Sequence, residues 1–283
     1  MPNKRRKDEG YPQVLAALLG RRDEAGLRAF VVENSHLPGP RANLELAAAF
    51  ADVAAQARGE DRAWLWSICE GWTSIPAAQA LPNDPREFLV FCGTRGVGGI
   101  GSTSSDHLDR ALLRLQELAS DPRWRTREAV AMALQDLLRI RPDHVLPALE
   151  SWIRPHAWFE MRAVAAGLAE PPILKDERIA KAAVEMHRRI LRDLGSAEDR
   201  SAEPFKVLRQ GLGYTVSVVV AARPKEGFAW LNELARTNDR DVQGILRENL
   251  KKKRLTAAFP REVARLEVRR RDQSPLADPD GGP

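Results

Sequence analysis

Prolines divide this chain at nearly regular intervals. Pro38 and Pro40, then Pro76, Pro82 and Pro85, then Pro122, Pro142, Pro155, Pro171-Pro172, Pro204 and Pro224 mostly lie about 13 to 30 residues apart, between periodic segments. Proline suits the first turn of a helix and disrupts its interior, so this rhythm predicts many short helices joined by tight turns.

Apolar spacing agrees. Within 123–139, Val130, Leu134, Leu137 and Leu138 recur at i, i+4, i+7 and i+8, one face of a helix, with Asp121-Pro122 expected as N-cap and first helical residue. Within 203–222, Phe205, Leu208, Leu212, Val216 and Val219 recur at three and four. Tyr214, Val216, Val218 and Val220 also alternate as a strand would, but the helical flanks favour a helix. Superimposing Trp124 on Trp158, an offset of 34 (158 − 124), brings Ala129-Val130-Ala131 onto Ala163-Val164-Ala165 and Leu134 onto Leu168. A second echo at 120 (241 − 121) sets Asp121, Arg127 and Glu128 on Asp241, Arg247 and Glu248. With "HVLPALESWI" (144–153) and "EGFAWLNELA" (226–235) as partner helices, the expectation is antiparallel helix pairs stacked in a row.

"DPRWRTREAVAMALQDLL", "RPDHVLPALESWIRP" and "WFEMRAVAAGLAEP" resemble HEAT-type repeats, with a capping Asp, an Arg in the first helix, small residues at the helix contact and a Pro-led second helix. "NDRDVQGILRENLKKKRL" (238–255) is similar in style to the closing repeats of bacterial HEAT-like proteins, including relatives of alkylpurine DNA glycosylases. The resemblance covers roughly residues 104–255. It implies an all-α, right-handed α-solenoid of armadillo type and a long binding surface; its glycosylase branch implies DNA alkylation repair.

The expected organisation is a disordered basic N-terminus over 1–9, one solenoid domain over 10–271, and a disordered Pro/Gly/Asp-rich tail over 272–283. With 43% hydrophobic residues the chain can bury a core. Two cysteines, Cys69 and Cys92, lie outside any metal-ligand spacing and read as reduced thiols of a cytoplasmic protein. The apolar run of Val216 and Val218 to Ala222 is far short of the roughly 20 residues that span a bilayer, so no membrane partner is expected.

Residues 88–118 pose the sharpest functional question. "FLVFC" has strand formers, and Gly96-Val97-Gly98-Gly99-Ile100-Gly101 has the spacing GxGxxG. A dinucleotide fold needs a helix to begin inside that motif and a second strand to follow, whereas Ser102 to Ser105 delays the helix and "SDPRWR" stands where the strand belongs. Ser102 also occupies the place of the P-loop lysine. The glycines therefore read as a flexible inter-helix loop, with an anion-binding nest near Arg95 as the sharper alternative; no nucleotide cofactor is expected.

Forty-four Lys and Arg against 39 Asp and Glu give a net charge of +5, compatible with a polyanionic partner. Binding candidates are Arg41, in the Pro38-Gly39-Pro40 turn that Asn43 should cap into a helix; Arg95; Arg123, Trp124 and Arg127; Trp158 and Arg162; and Lys251, Lys252 and Arg254. Arg123 and Arg127, one turn apart, should project together toward a phosphate backbone. The plainer reading makes most of the seven tryptophans core residues and the charge runs solvated faces. No HExxH, GxSxG or paired-cysteine motif supplies a catalytic set. The expectation is a non-catalytic scaffold, its partner protein or nucleic acid, with a glycosylase-like DNA-repair protein as alternative and no cofactor.

Overall fold

The computed structural model describes residues 10–272, and among them every regular element is helical. Expected disorder at 1–9 and 273–283 lies outside the described residues; Asp272, placed in the tail by the sequence, closes a helix instead. The helices group into two compact units that divide after Leu149.

The first unit holds α1 (Tyr11–Gly20), α2 (Glu24–Glu33), α3 (Leu44–Gln56), α4 (Gly59–Thr73), α5 (Glu87–Thr103), α6 (Ser105–Leu118) and α7 (Trp124–Ile140). The division falls inside α8 (Pro142–Trp152). The second unit continues with α9 (Trp158–Leu168), α10 (Glu177–Gly195), α11 (Glu203–Ala222), α12 (Pro224–Leu234), α13 (Arg240–Leu250), the single turn α14 (Lys253–Thr256) and α15 (Pro260–Asp272). In each unit, alternate helices stack. α1, α3, α5 and α7 pack in succession in the first, and α9, α11 and α13 in the second, while intervening helices cover their sides. This is the helical-repeat arrangement anticipated from the proline rhythm, and it makes the fold all-α. Pro142, Pro224 and Pro260 each open a helix, as the missing N–H allows.

The 34-residue offset is real in the fold: Trp124 and Trp158 are each the first residue of a helix, and the aligned Ala-Val-Ala and Leu positions are all buried. The 120-residue echo is not, because Asp121 precedes its helix by three residues whereas Asp241 is the second residue of α13. Asp121 is not the N-cap expected of it either. Arg123 holds that position, and the Asp121 carboxylate instead accepts the Arg123 backbone N–H at 2.8 Å and grips its guanidinium at 2.8 and 2.6 Å. The same Asp-x-Arg clamp recurs with Asp84 and Arg86 before α5 and with Asp176 and Arg178 at the start of α10. Such clamps satisfy an orphan N–H and fix the chain's entry into each helix.

The largest departure from expectation is α5. The glycine-rich segment is no loop: it is the central helix of the first unit, with every residue from Glu87 to Ser102 buried. Glycine costs about 1 kcal/mol relative to alanine within a helix, so local propensity alone argues against this structure. Packing reverses the balance. A Cβ on Gly98 would lie 2.6 Å from that of Ala133 on α7, and one on Gly99 would collide with the Ala51 carbonyl on α3. The missing side chains let neighbouring helices approach to backbone contact. Residues 88–92 are helical, which removes the strand that a dinucleotide site requires.

Candidate functional site

Three of the eight cationic candidates are spent inside the fold. Arg95 sits mid-α5, 10% exposed in its side chain, and pairs with Asp136 of α7 at 2.9 Å. No glycine nest surrounds it, since the motif is helical and its amides bond along the helix. Arg123 is held by Asp121 and donates to the Ile75 carbonyl at 3.1 Å, while Arg127 donates to the carbonyls of Asp121 and Pro122 at 2.7 and 3.1 Å. Both are buried. The pair expected to project toward phosphates staples the entrance of α7 instead, because its guanidiniums satisfy the carbonyls of Ile75, Asp121 and Pro122 in the loops beside it.

Trp158 is buried edge-to-face against Phe205, their ring centroids 5.7 Å apart. Arg162 is half-buried on α9 and faces Gly211 of α11. Trp66, Trp72, Trp152 and Trp230 are also core residues, as the plainer reading held for most tryptophans. Trp124 differs: it is 46% exposed, with the Arg125 guanidinium 4.5 Å from its ring centroid. Arg41 is exposed in the turn before α3, and Asn43 caps that helix as expected, accepting the Leu46 N–H at 3.0 Å.

The remaining candidates converge. Lys252 and Arg254, with exposed Lys251 beside them, stand at the junction of α13 and α14. In the second unit, Lys252, Lys253 and Arg254 form one wall of an open groove of about 960 Å3. Its other wall and floor come from Pro171, Leu174 and Lys175 before α10, and from Tyr214, Val218, Ala221 and Ala222 on one face of α11. Four cations line the groove, and none of its lining residues is acidic.

Tyr214 organises the cations. The residue is 49% exposed, and its ring has the Arg254 guanidinium 4.5 Å and the Lys252 ammonium 5.6 Å from its centroid. Its hydroxyl accepts a hydrogen bond from Arg254 Nη2 at 2.6 Å. Cation–π attraction holds both charges on the groove side without neutralising them. Tyr214 is in turn positioned from below. Asn249 of α13, wholly buried, accepts the Ser217 N–H at 2.7 Å and donates to the Leu212 carbonyl at 2.8 Å, bracketing Tyr214 within α11.

Lys175, Lys253 and Tyr214 were not among the sequence candidates. Lys253 belongs to the visible charge run, but Lys175 and Tyr214 carry no local signal, since only the stacking of three separate segments brings them together.

No family model matches the chain, and no curated protein matches it. Solved structures of engineered proteins from the Northeast Structural Genomics Consortium are similar at low level. One shares 15% identity over 87% of this chain and 96% of its own, with a TM-score of 0.36. A second shares 15% over 86% and 98%, with a TM-score of 0.37. A third shares 14% over 92% and 72%, with a TM-score of 0.34. Among the described residues, no cluster of His, Cys, Asp or Glu could hold a metal ion, and no helix is long and apolar enough to cross a membrane.

Proposed function

We propose that this protein is a non-catalytic helical-repeat binding module that holds an anionic partner in the Tyr214 groove of its second unit. The observation that carries this reading is the convergence of Lys175, Lys252, Lys253 and Arg254 on one groove without a lining carboxylate. Like charges gathered this way repel one another, and an anion that enters relieves that repulsion while gaining several attractions at once. The HEAT-type resemblance over 104–255 supports the same use, because a repeat stack offers an extended surface more readily than an enclosed active site. Two buried free cysteines fit a reducing, cytoplasmic setting.

Base excision from alkylated DNA is the less favoured reading. It calls for an aromatic pair and a carboxylate along one groove, whereas Trp152 and Trp158 are buried and the groove has a single aromatic residue, Tyr214.

Fluorescence anisotropy tests the proposal. Labelled poly-glutamate and a labelled DNA duplex, plain and alkylated, are titrated with the protein at several salt concentrations. Binding to at least one polyanion that weakens with salt, and is lost in Lys252→Glu/Lys253→Glu, is the expected result. No binding at the lowest salt overturns the proposal, and release of alkylated base would replace it with an enzymatic function.

A further inference from the structure

We infer that the occupant of the Tyr214 groove is an acidic peptide segment of a partner protein that inserts an aliphatic side chain between carboxylates. The inference rests on the anionic-partner reading above and narrows it to one chemistry.

The groove has two zones. Its floor is aliphatic, made by buried Leu174 and Val218 and half-buried Ala221 and Ala222. Its rim is cationic, with Lys175 on one side and Lys252, Lys253 and Arg254 on the other. A ligand that matches only the rim leaves the apolar floor in water; one that matches both gains hydrophobic burial in addition to charge pairing.

Nucleic acid matches the rim but not the floor. Proteins that take single strands stack bases on open aromatic faces. The groove's one aromatic ring is already engaged by Arg254 and Lys252, and the Arg254 guanidinium also bonds its hydroxyl. Beside the ring lies an aliphatic strip whose accessible part is half-buried Ala221 and Ala222, over buried Leu174 and Val218. The four cations line the same groove as this strip, so a peptide that lays an aliphatic side chain on it brings neighbouring carboxylates to the cationic rim. Holding Arg254 and Lys252 on the ring before binding lowers the ordering cost when they meet carboxylates, and the planar guanidinium can grip one through two bonds.

The probes are a fluorescein-labelled 14-residue peptide of Glu and Leu, its Leu→Ser and Glu→Gln versions, and labelled 12-mer oligothymidylate. Titration is by anisotropy against the full chain and against Lys252→Glu/Lys253→Glu and Ala221→Gln/Ala222→Gln, with thermal melts as the check on folding. The Glu/Leu peptide should bind and the Glu→Gln peptide should not. The Leu→Ser peptide should bind at least about tenfold more weakly, the factor set by withdrawing one buried leucine. Both protein variants should lose affinity for the peptide while keeping wild-type melting; Ala221→Gln/Ala222→Gln is uncharged and alters the floor alone. Oligothymidylate binding as tight as the peptide, or affinity indifferent to leucine, overturns the inference but leaves the anionic-partner reading standing. Failure of every anionic probe at low salt overturns both.

Discussion

Glu87 of α5 and Arg125 of α7 form an ion pair of 3.0 Å whose side chains are 0% and 6% exposed. Arg125 also donates to the Gly39 carbonyl at 3.0 Å and Glu87 accepts the Asn83 N–H at 2.7 Å, so one buried pair ties two helices to two loops. Removing one member strands the other charge. Arg125→Met should destabilise the protein by about 3–5 kcal/mol in urea denaturation, whereas Glu87→Leu combined with Arg125→Met should recover much of that loss. Equal losses in the single and double variants would show that the pair is not coupled.

The glycines of the chain should respond with opposite signs. Gly98→Ala puts a methyl group 2.6 Å from Ala133 Cβ and should cost about 1–3 kcal/mol despite alanine's better helix propensity. Gly71, exposed on α4 with open space where its Cβ would be, should gain about 0.5–1 kcal/mol on the same change. Paired melting curves of the two variants read the difference.

Stability should fall as pH drops from about 6.5 toward 4. His187 is wholly buried on α10, and burial lowers its pKa from 6.5 to about 4. The unfolded chain therefore takes up a proton in that window which the folded chain refuses. The contribution is fully present above 6.5 and is lost as pH falls toward 4, on the order of 3 kcal/mol in total. The neutral ring fits its site by donating from Nδ1 to the Ala183 carbonyl at 2.8 Å. Urea midpoints of wild type and His187→Leu across pH 4 to 7 measure it: the variant should lose this part of the slope.

Asn249 should prove a positioning residue for the groove. Asn249→Leu strips the Ser217 N–H and the Leu212 carbonyl of their partner in the middle of α11, at a cost of about 1–3 kcal/mol per unsatisfied group. Tyr214 fluorescence cannot be isolated beside seven tryptophans. Amide hydrogen exchange across 212–218 should instead show faster exchange in the variant, while α5 stays protected.

Both cysteines should resist alkylation. Cys69 and Cys92 are buried, and burial pushes their thiols well above the ordinary range, so little thiolate forms and reagent has no access. Iodoacetamide labelling should proceed at the rate of unfolding; fast labelling of the folded chain would mean that α4 and α5 open locally.

Individual residues show where legibility stopped. Leu134, Leu137, Leu208 and Leu212 could be assigned to buried helix faces from spacing alone, because a helix's period is a local property. Arg123 and Arg127 were read as one turn apart, yet whether a guanidinium meets solvent or turns back onto a carbonyl depends on how the loop before α7 folds and, for Arg123, on Ile75 far away in the chain. Lys251, Lys252 and Arg254 were visible as a charge run, but their use required Lys175 and Tyr214 on separate elements.

What the sequence determined by itself is the all-α class, the helix pairs and the offset of 34 that starts α7 and α9 with tryptophan, since each follows from propensity, punctuation and periodicity within short windows. Tertiary structure alone decided that Gly96 to Gly101 is a buried helix, that Trp124 is exposed while Trp158 is core, and that Lys175 and Tyr214 join the cations of 252–254 in one groove. The physical reason is the same in each case. Helix propensity is summed locally, but burial, close approach and charge convergence are set by whichever distant residues the stack brings alongside, and at α5 those contacts outweigh what the glycines cost.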